Sequence, residues 1–110
     1  MSKPIKHIYN NMVKPLIDDR ASKVSAERVS NLIKACNWIE IIANEFETYG
    51  AYASIDKNND IIVGVTLEDM VVENSIHAFY RVLQLVDRFD IEYVDEYVFN
   101  MKFVFHGICD

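Results

Sequence analysis

The sequence predicts an α+β fold: a small antiparallel sheet of about three strands, a hairpin plus a C-terminal strand, with helices packed on one face. Three observations carry that reading. Ser25 to Gly50 holds the longest helical pattern, Tyr49 to Leu67 alternates as a hairpin, and Tyr97 to His106 alternates again as a strand. All 110 residues are read as one domain. A short helix and connection occupy 1–24, and an α-β-β-α-β body occupies 25–110.

At the N-terminus, Ile5, Ile8, Tyr9, Met12, Val13 and Leu16 follow a helical period, and Pro4 suits a first turn. Pro15 lacks an N–H, and its ring would clash with the Asn11 carbonyl, so this helix is expected to end near Lys14. A polar connection through Asp18, Asp19, Arg20 and Ser22 then leads to the main helix. There, Val29, Leu32, Cys36, Ile39, Ala43 and Phe46 alternate steps of three and four and form one stripe. Ser25 is the expected N-cap, with Glu27 in the first turn where the helix dipole favours negative charge. Val24 and Val29 stand at the positions of a hydrophobic staple, and Gly50 is the expected stop. Trp38, Ile41 and Ile42 widen the apolar coverage beyond one stripe. Either the helix is buried on two sides, or Trp38 and Ile41 form a contact patch, Trp being the residue type most enriched in binding hot spots.

In the hairpin, Tyr49, Ala51, Ala53 and Ile55 alternate against Ile61, Val63, Val65 and Leu67. The turn between them, Asp56 to Asp60, is built of residues that bond their own backbone. Pairing Ile55 with Ile61 puts Ala53 opposite Val63 and Ala51 opposite Val65 on one buried face. On the other face it sets Tyr52 against Gly64, where a ring can cover the missing side chain. Thr66 to Glu73 reads as strand to about Val72, although Thr66 and Asp69 also resemble a capping box. A helix from Asn74 or Ser75 to Asp87–Asp90 carries an apolar face of Ile76, Phe79, Tyr80, Leu83 and Val86. In the last strand, Tyr97, Phe99, Met101, Phe103 and Phe105 project one way and Val98, Asn100, Lys102, Val104 and His106 the other. A three-stranded sheet leaves edges that need a cover or a partner, and a homodimer is one way to supply it.

Hydrophobic residues at 51% and charged residues at 25% exclude a disordered chain. The longest apolar run, Ile61 to Val65, is far too short for a membrane span, and no apolar leader is visible. Two cysteines make no disulfide framework, so a reducing cytoplasm is the expected setting. Charge is uneven. Residues 1–36 hold seven Lys or Arg against three acidic residues, net +4, and residues 37–110 hold four against fourteen, net −10. An acidic field repels nucleic acid and favours basic partners. The basic residues Lys3, Lys6, His7 and Lys14 have only Tyr9 as an aromatic platform, so no direct nucleic-acid role is expected.

Motifs for catalysis are missing. Asp56, Asn58 and Asp60 match the first ligands of a calcium loop, but Ile61 and Leu67 stand where it needs Gly and Glu. His106 and Cys109, with His77 and Cys36, lack zinc-site spacing and offer the sole formal Cys–His option. No phosphate-binding or serine-nucleophile motif occurs. No catalytic residue, metal or cofactor is therefore assigned, and the chain is expected not to be an enzyme.

Carboxylates are the stronger signal. Asp87, Asp90, Glu92, Asp95 and Glu96 fall within ten residues, interleaved with Tyr93 and Tyr97 and answered locally by Arg88 alone. Together with Trp38 and Ile41 they form the expected partner-binding set. The competing reading is a solvated loop and helix end. The expectation is a small acidic inhibitor, of the immunity, antitoxin or phage anti-defence type, that occludes a basic site on a nuclease or other nucleic-acid-acting protein. The alternative is a homo-oligomeric or small-ligand module, its pocket lined by Trp38, Tyr80, Phe99 and Phe103 with His77 or His106 as the polar group.

Overall fold

The structure, a computed structural model, describes residues 6–20, 24–45, 48–68, 73–96 and 98–108. It opens with a π-helical turn, Tyr9–Val13, that runs directly into α1, Lys14–Arg20. The helix thus passes through Pro15 instead of ending near Lys14. In the wide turn the Lys14 N–H donates to the Tyr9 carbonyl, five residues back. Widening the turn just ahead of the proline moves aside the carbonyl that an α-turn would press against its ring. The connection foreseen from Asp18 to Ser22 is helical through Arg20, and its remainder lies outside the described residues.

α2, Ala26–Glu45, follows. Ser25 caps it as expected: its Oγ accepts from the Arg28 N–H at 3.3 Å and its carbonyl from the Val29 N–H at 2.9 Å. Leu32, Ala35, Cys36, Ile39, Ile42 and Ala43 are fully buried, so the apolar stripe does face the core. Phe46 lies outside the described residues. The Glu40 carboxylate reaches across to accept the Ile8 N–H at 2.7 Å and ties the N-terminal helix to α2.

Gly50 does not stop α2. It belongs to β1, Thr48–Ile55, at a register shift between Thr48 and Gly50. A glycine serves a bulge as readily as a helix stop, and here the alternation of Ala51, Ala53 and Ile55 prevails. β1 pairs with β2, Ile61–Glu68, with Ile55 opposite Ile61, Ala53 opposite Val63, Ala51 opposite Val65 and Tyr52 opposite Gly64, as the alternation required. Asp56 Oδ1 closes the turn by accepting from the N–H groups of Asn58 at 2.8 Å and Asp60 at 3.0 Å. The expected continuation to Val72 lies outside the described residues.

α3, Glu73–Leu83, is shorter than expected. The N–H groups of Leu85 and Val86 both return to the Val82 carbonyl, and the Asp87 N–H goes to Val104 at 3.0 Å, which turns the chain into the sheet. There it forms β3, Arg88–Tyr93, a strand where a helix end and loop were expected, and then β4, Val98–Phe105. Among the described residues the sheet has four strands instead of the expected three, all neighbours antiparallel, in the order β1-β2-β4-β3. β4 takes the slot between β2 and β3.

One face of this sheet carries the core: Ile61, Val63, Val65 and Leu67 of β2 and Met101, Phe103 and Phe105 of β4, against the buried stripe of α2, Ala78 and Val82 of α3, and Ile8, Val13 and Ile17. The other face carries Tyr52, Thr66, Asn100, Lys102 and Asp90, with Thr66 Oγ1 donating to Asn100 Oδ1. Among the described residues, no helix is long and apolar enough to cross a membrane.

Candidate protein-binding surface

Side chains alternate along a strand, so Arg88, Asp90 and Glu92 of β3 point to one face and Phe89, Ile91 and Tyr93 to the other. Phe89 packs on the helix side, its ring centroid 5.2 Å from those of both Phe79 and Phe103. Ile91 and Tyr93 share that face yet are 48% and 78% exposed, because they run past the helical cover. α3 in turn presents Ile76, Tyr80 and Leu83, which are 70%, 59% and 44% exposed. Their spacing places Ile76 and Leu83 toward the flank of α3 that carries Phe79, and Tyr80 on the outward face, opposite Ala78 and Val82, which turn to the core. Phe79 and Phe89 join the two elements, and Val94 is exposed at the hairpin tip. Sequence periodicity had assigned Ile76, Tyr80 and Leu83 to the apolar face of α3; that face is real, but this part of it meets no core.

The carboxylates are arranged differently from an open anionic loop. Asp90 pairs with Arg88 Nε at 3.0 Å, and Glu92 with Lys102 Nζ at 2.8 Å. The Glu92 hydrogen bond holds the Lys102 ammonium above its ordinary range. Asp87 accepts the His106 N–H at 2.7 Å and Asp95 the Val98 N–H at 3.0 Å, so these two fasten the ends of the hairpin. Glu96 is exposed at the tip, and Tyr97 lies outside the described residues. Of the expected set, Asp90 and Glu92 share one face of β3, Tyr93 lies on the other, Asp95 and Glu96 stand at the hairpin tip, and Asp87 stands at the opposite end of the strand.

Trp38 and Ile41 do not join them. Trp38 is half-buried and meets the ring of His77 edge-on at 5.7 Å. His77 and Phe79 stand on nearly opposite flanks of α3, so α2 covers one flank and β3 the other. Ile41 is exposed on α2. The signal for β3 was present in the alternation Phe89, Ile91, Tyr93 against Arg88, Asp90, Glu92, masked by reading the charges as a cluster.

Among the described residues, the chemistry weighed from sequence is not assembled. Cys36 is fully buried, and burial, with a smaller push from Glu40, raises its thiol to about 12, so it stays protonated at neutral pH. Cys109 lies outside the described residues. Asp56 is occupied by backbone N–H groups and Asp60 by His106 Nδ1 at 3.0 Å. Among the described residues, no group of three His, Cys, Asp or Glu is placed to hold a metal. The pocket expected from Trp38, Tyr80, Phe99 and Phe103 does not form: Phe103 is filled core and Tyr80 faces outward. A polar crevice of about 220 Å³ lies elsewhere, between Arg28, Asn31, Gln84, Asp87 and His106. Within it Arg28 donates to the His106 carbonyl at 3.0 Å and the His106 N–H to Asp87 at 2.7 Å.

Compared with protein-family models, with curated proteins and with solved structures, the chain gives no match.

Proposed function

We propose that this protein is a non-enzymatic binding module of the inhibitor type, which lays its β3–β4 hairpin and the flank of α3 on a basic site of another protein and occludes it. The observation that carries the reading is the exposure of large apolar side chains on two elements that meet at Phe79–Phe89: Ile76, Tyr80 and Leu83 on α3, and Ile91 and Tyr93 on β3. Asp90 and Glu92 lie on the opposite face of that edge strand, and Asp95 and Glu96 at its tip. Clustered apolar exposure of this kind marks interaction surfaces, and tyrosines supply contact area with a polar tip. A formal charge of −6 steers basic partners toward the chain, so association slows as salt rises. Immunity proteins, antitoxins and phage anti-defence proteins against nucleic-acid-acting enzymes are the natural class for such a surface.

The test is capture by the tagged chain from a lysate of its native host, at low and at high salt, alongside a Tyr80→Ser, Tyr93→Ser variant. The expected result is one basic protein in stoichiometric amount, released by salt and absent with the variant. Recovery of the chain alone, or equal capture by the variant, would overturn the reading.

A further inference from the structure

We infer that β3 is a docking edge for an extended segment of the partner that alternates basic and apolar residues. This rests on the protein-binding reading above and specifies how the partner is held.

β3 is the outer strand of the sheet, and among the described residues only β4 pairs with it. The Val94 N–H donates to the Val98 carbonyl at 2.8 Å, which makes 94 a position bonded to β4. Bonding alternates along an antiparallel ladder, so Glu92 and Asp90 also point their backbone groups toward β4. The N–H and C=O groups of Phe89, Ile91 and Tyr93 consequently point outward along the edge. The strand carries neither proline nor lysine, two devices that block edge pairing.

Backbone bonding gives such an edge affinity, and the alternating side chains give it selectivity. An incoming strand meets the carboxylates of Asp90 and Glu92 on one face, both exposed and each paired within the chain with one cation, Arg88 and Lys102, at the surface. On the other it meets Ile91 and Tyr93, both exposed. A second copy of this chain fits less well. A two-fold axis at Ile91 sets Asp90 against Glu92 twice, and one at Asp90 gains two Arg88–Glu92 pairs only by opposing Asp90 to itself. One at Phe89 makes two Arg88–Asp90 pairs but overlaps only residues 88–90 of each strand and leaves Ile91 and Tyr93 without a strand partner. Each copy also brings a charge of −6. A basic, apolar strand meets neither objection.

The probe is a short peptide of alternating Lys and Val, compared with an isomer that groups its lysines at one end. Amide exchange by NMR reads the contact. The expected result is binding of the alternating peptide alone, with exchange at Phe89, Ile91 and Tyr93 slowed about tenfold or more. Ile91→Pro removes an outward N–H but no bond to β4, so binding should fall about tenfold while Asp90 and Glu92 stay protected. Ile91→Lys is the second variant; it keeps the strand and repels the peptide, with the same expected loss. Equal binding of the isomer, unchanged exchange at the three amides, or binding indifferent to both variants would overturn the inference. So would a dimer that Ile91→Pro dissociates, because the edge would then belong to a second copy. Partner capture lost with Tyr80→Ser but kept with Ile91→Pro would overturn strand addition alone and leave the binding module standing.

Discussion

The ring of Tyr52 lies directly over Gly64 on the open face of the sheet: a Cβ built on Gly64 would sit 2.2 Å from Tyr52 Cε1 and Cζ. The two residues are cross-strand partners. The glycine is where β2 gives room to an aromatic ring, and the ring covers the backbone that the glycine exposes. Gly64→Ala should therefore cost about 1–3 kcal/mol by forcing the ring off its seat. In a Tyr52→Ala background the same change should be close to neutral or stabilising, since alanine restricts the unfolded chain more than glycine does. Denaturant unfolding of the four proteins measures the coupling. Equal costs in both backgrounds would mean that the ring does not hold this position.

That pair was legible in the sequence because two independent patterns demanded one register. Ile55 to Ile61 aligned the apolar rows, and the same alignment set Tyr52 on Gly64. The α2 stripe was legible for a similar reason, with a cap at Ser25 and a period agreeing over several turns. Pro15 misled because the rule against proline assumes an α-turn, and the chain supplies a π-turn instead. β3 was missed because Arg88, Asp90 and Glu92 read as surface charge, although they alternate cleanly with Phe89, Ile91 and Tyr93. The exposure of Ile76 and Tyr80 was beyond any periodicity argument: a helix pattern marks an apolar face but does not say how far the sheet beneath extends.

Glu40 accepting the Ile8 N–H at 2.7 Å makes a second prediction. The bond joins the start of the N-terminal helix to the C-terminal half of α2 and satisfies a donor that the helix leaves open. Glu40→Ala should cost about 1–3 kcal/mol and speed amide exchange at Ile8. Glu40→Gln keeps an acceptor oxygen and should recover most of that protection. Unaltered exchange at Ile8 in the alanine variant would show that the contact does not fasten the segment.

Burial of Cys36 predicts a loss of stability in alkali. Its thiol ordinarily ionises near 9.0, and the folded chain raises that to about 12, chiefly by desolvation. Below the lower value both states hold the proton and stability is flat. Between the two values the unfolded chain binds fewer protons than the folded one, so stability falls as pH rises, by about 4 kcal/mol over the whole window. Cys36→Ala removes this contribution, so the alkaline slope of its unfolding free energy should be shallower than that of the parent. Parallel slopes would mean that other groups account for the alkaline loss.

The exposed apolar rows predict a separation of binding from stability. Phe103 is fully buried between Phe79 and Phe89, and Phe103→Ala should cost about 3–5 kcal/mol. Tyr80 and Ile76 are large yet mostly open to water, so Tyr80→Ser and Ile76→Ser remove little buried area and should change stability by about 0.5 kcal/mol or less. A core helix face would behave the other way, each truncation leaving a cavity. Thermal unfolding of the three variants decides between these cases. Should Tyr80→Ser destabilise as strongly as Phe103→Ala, the flank of α3 would be part of the core and not a surface held open for a partner.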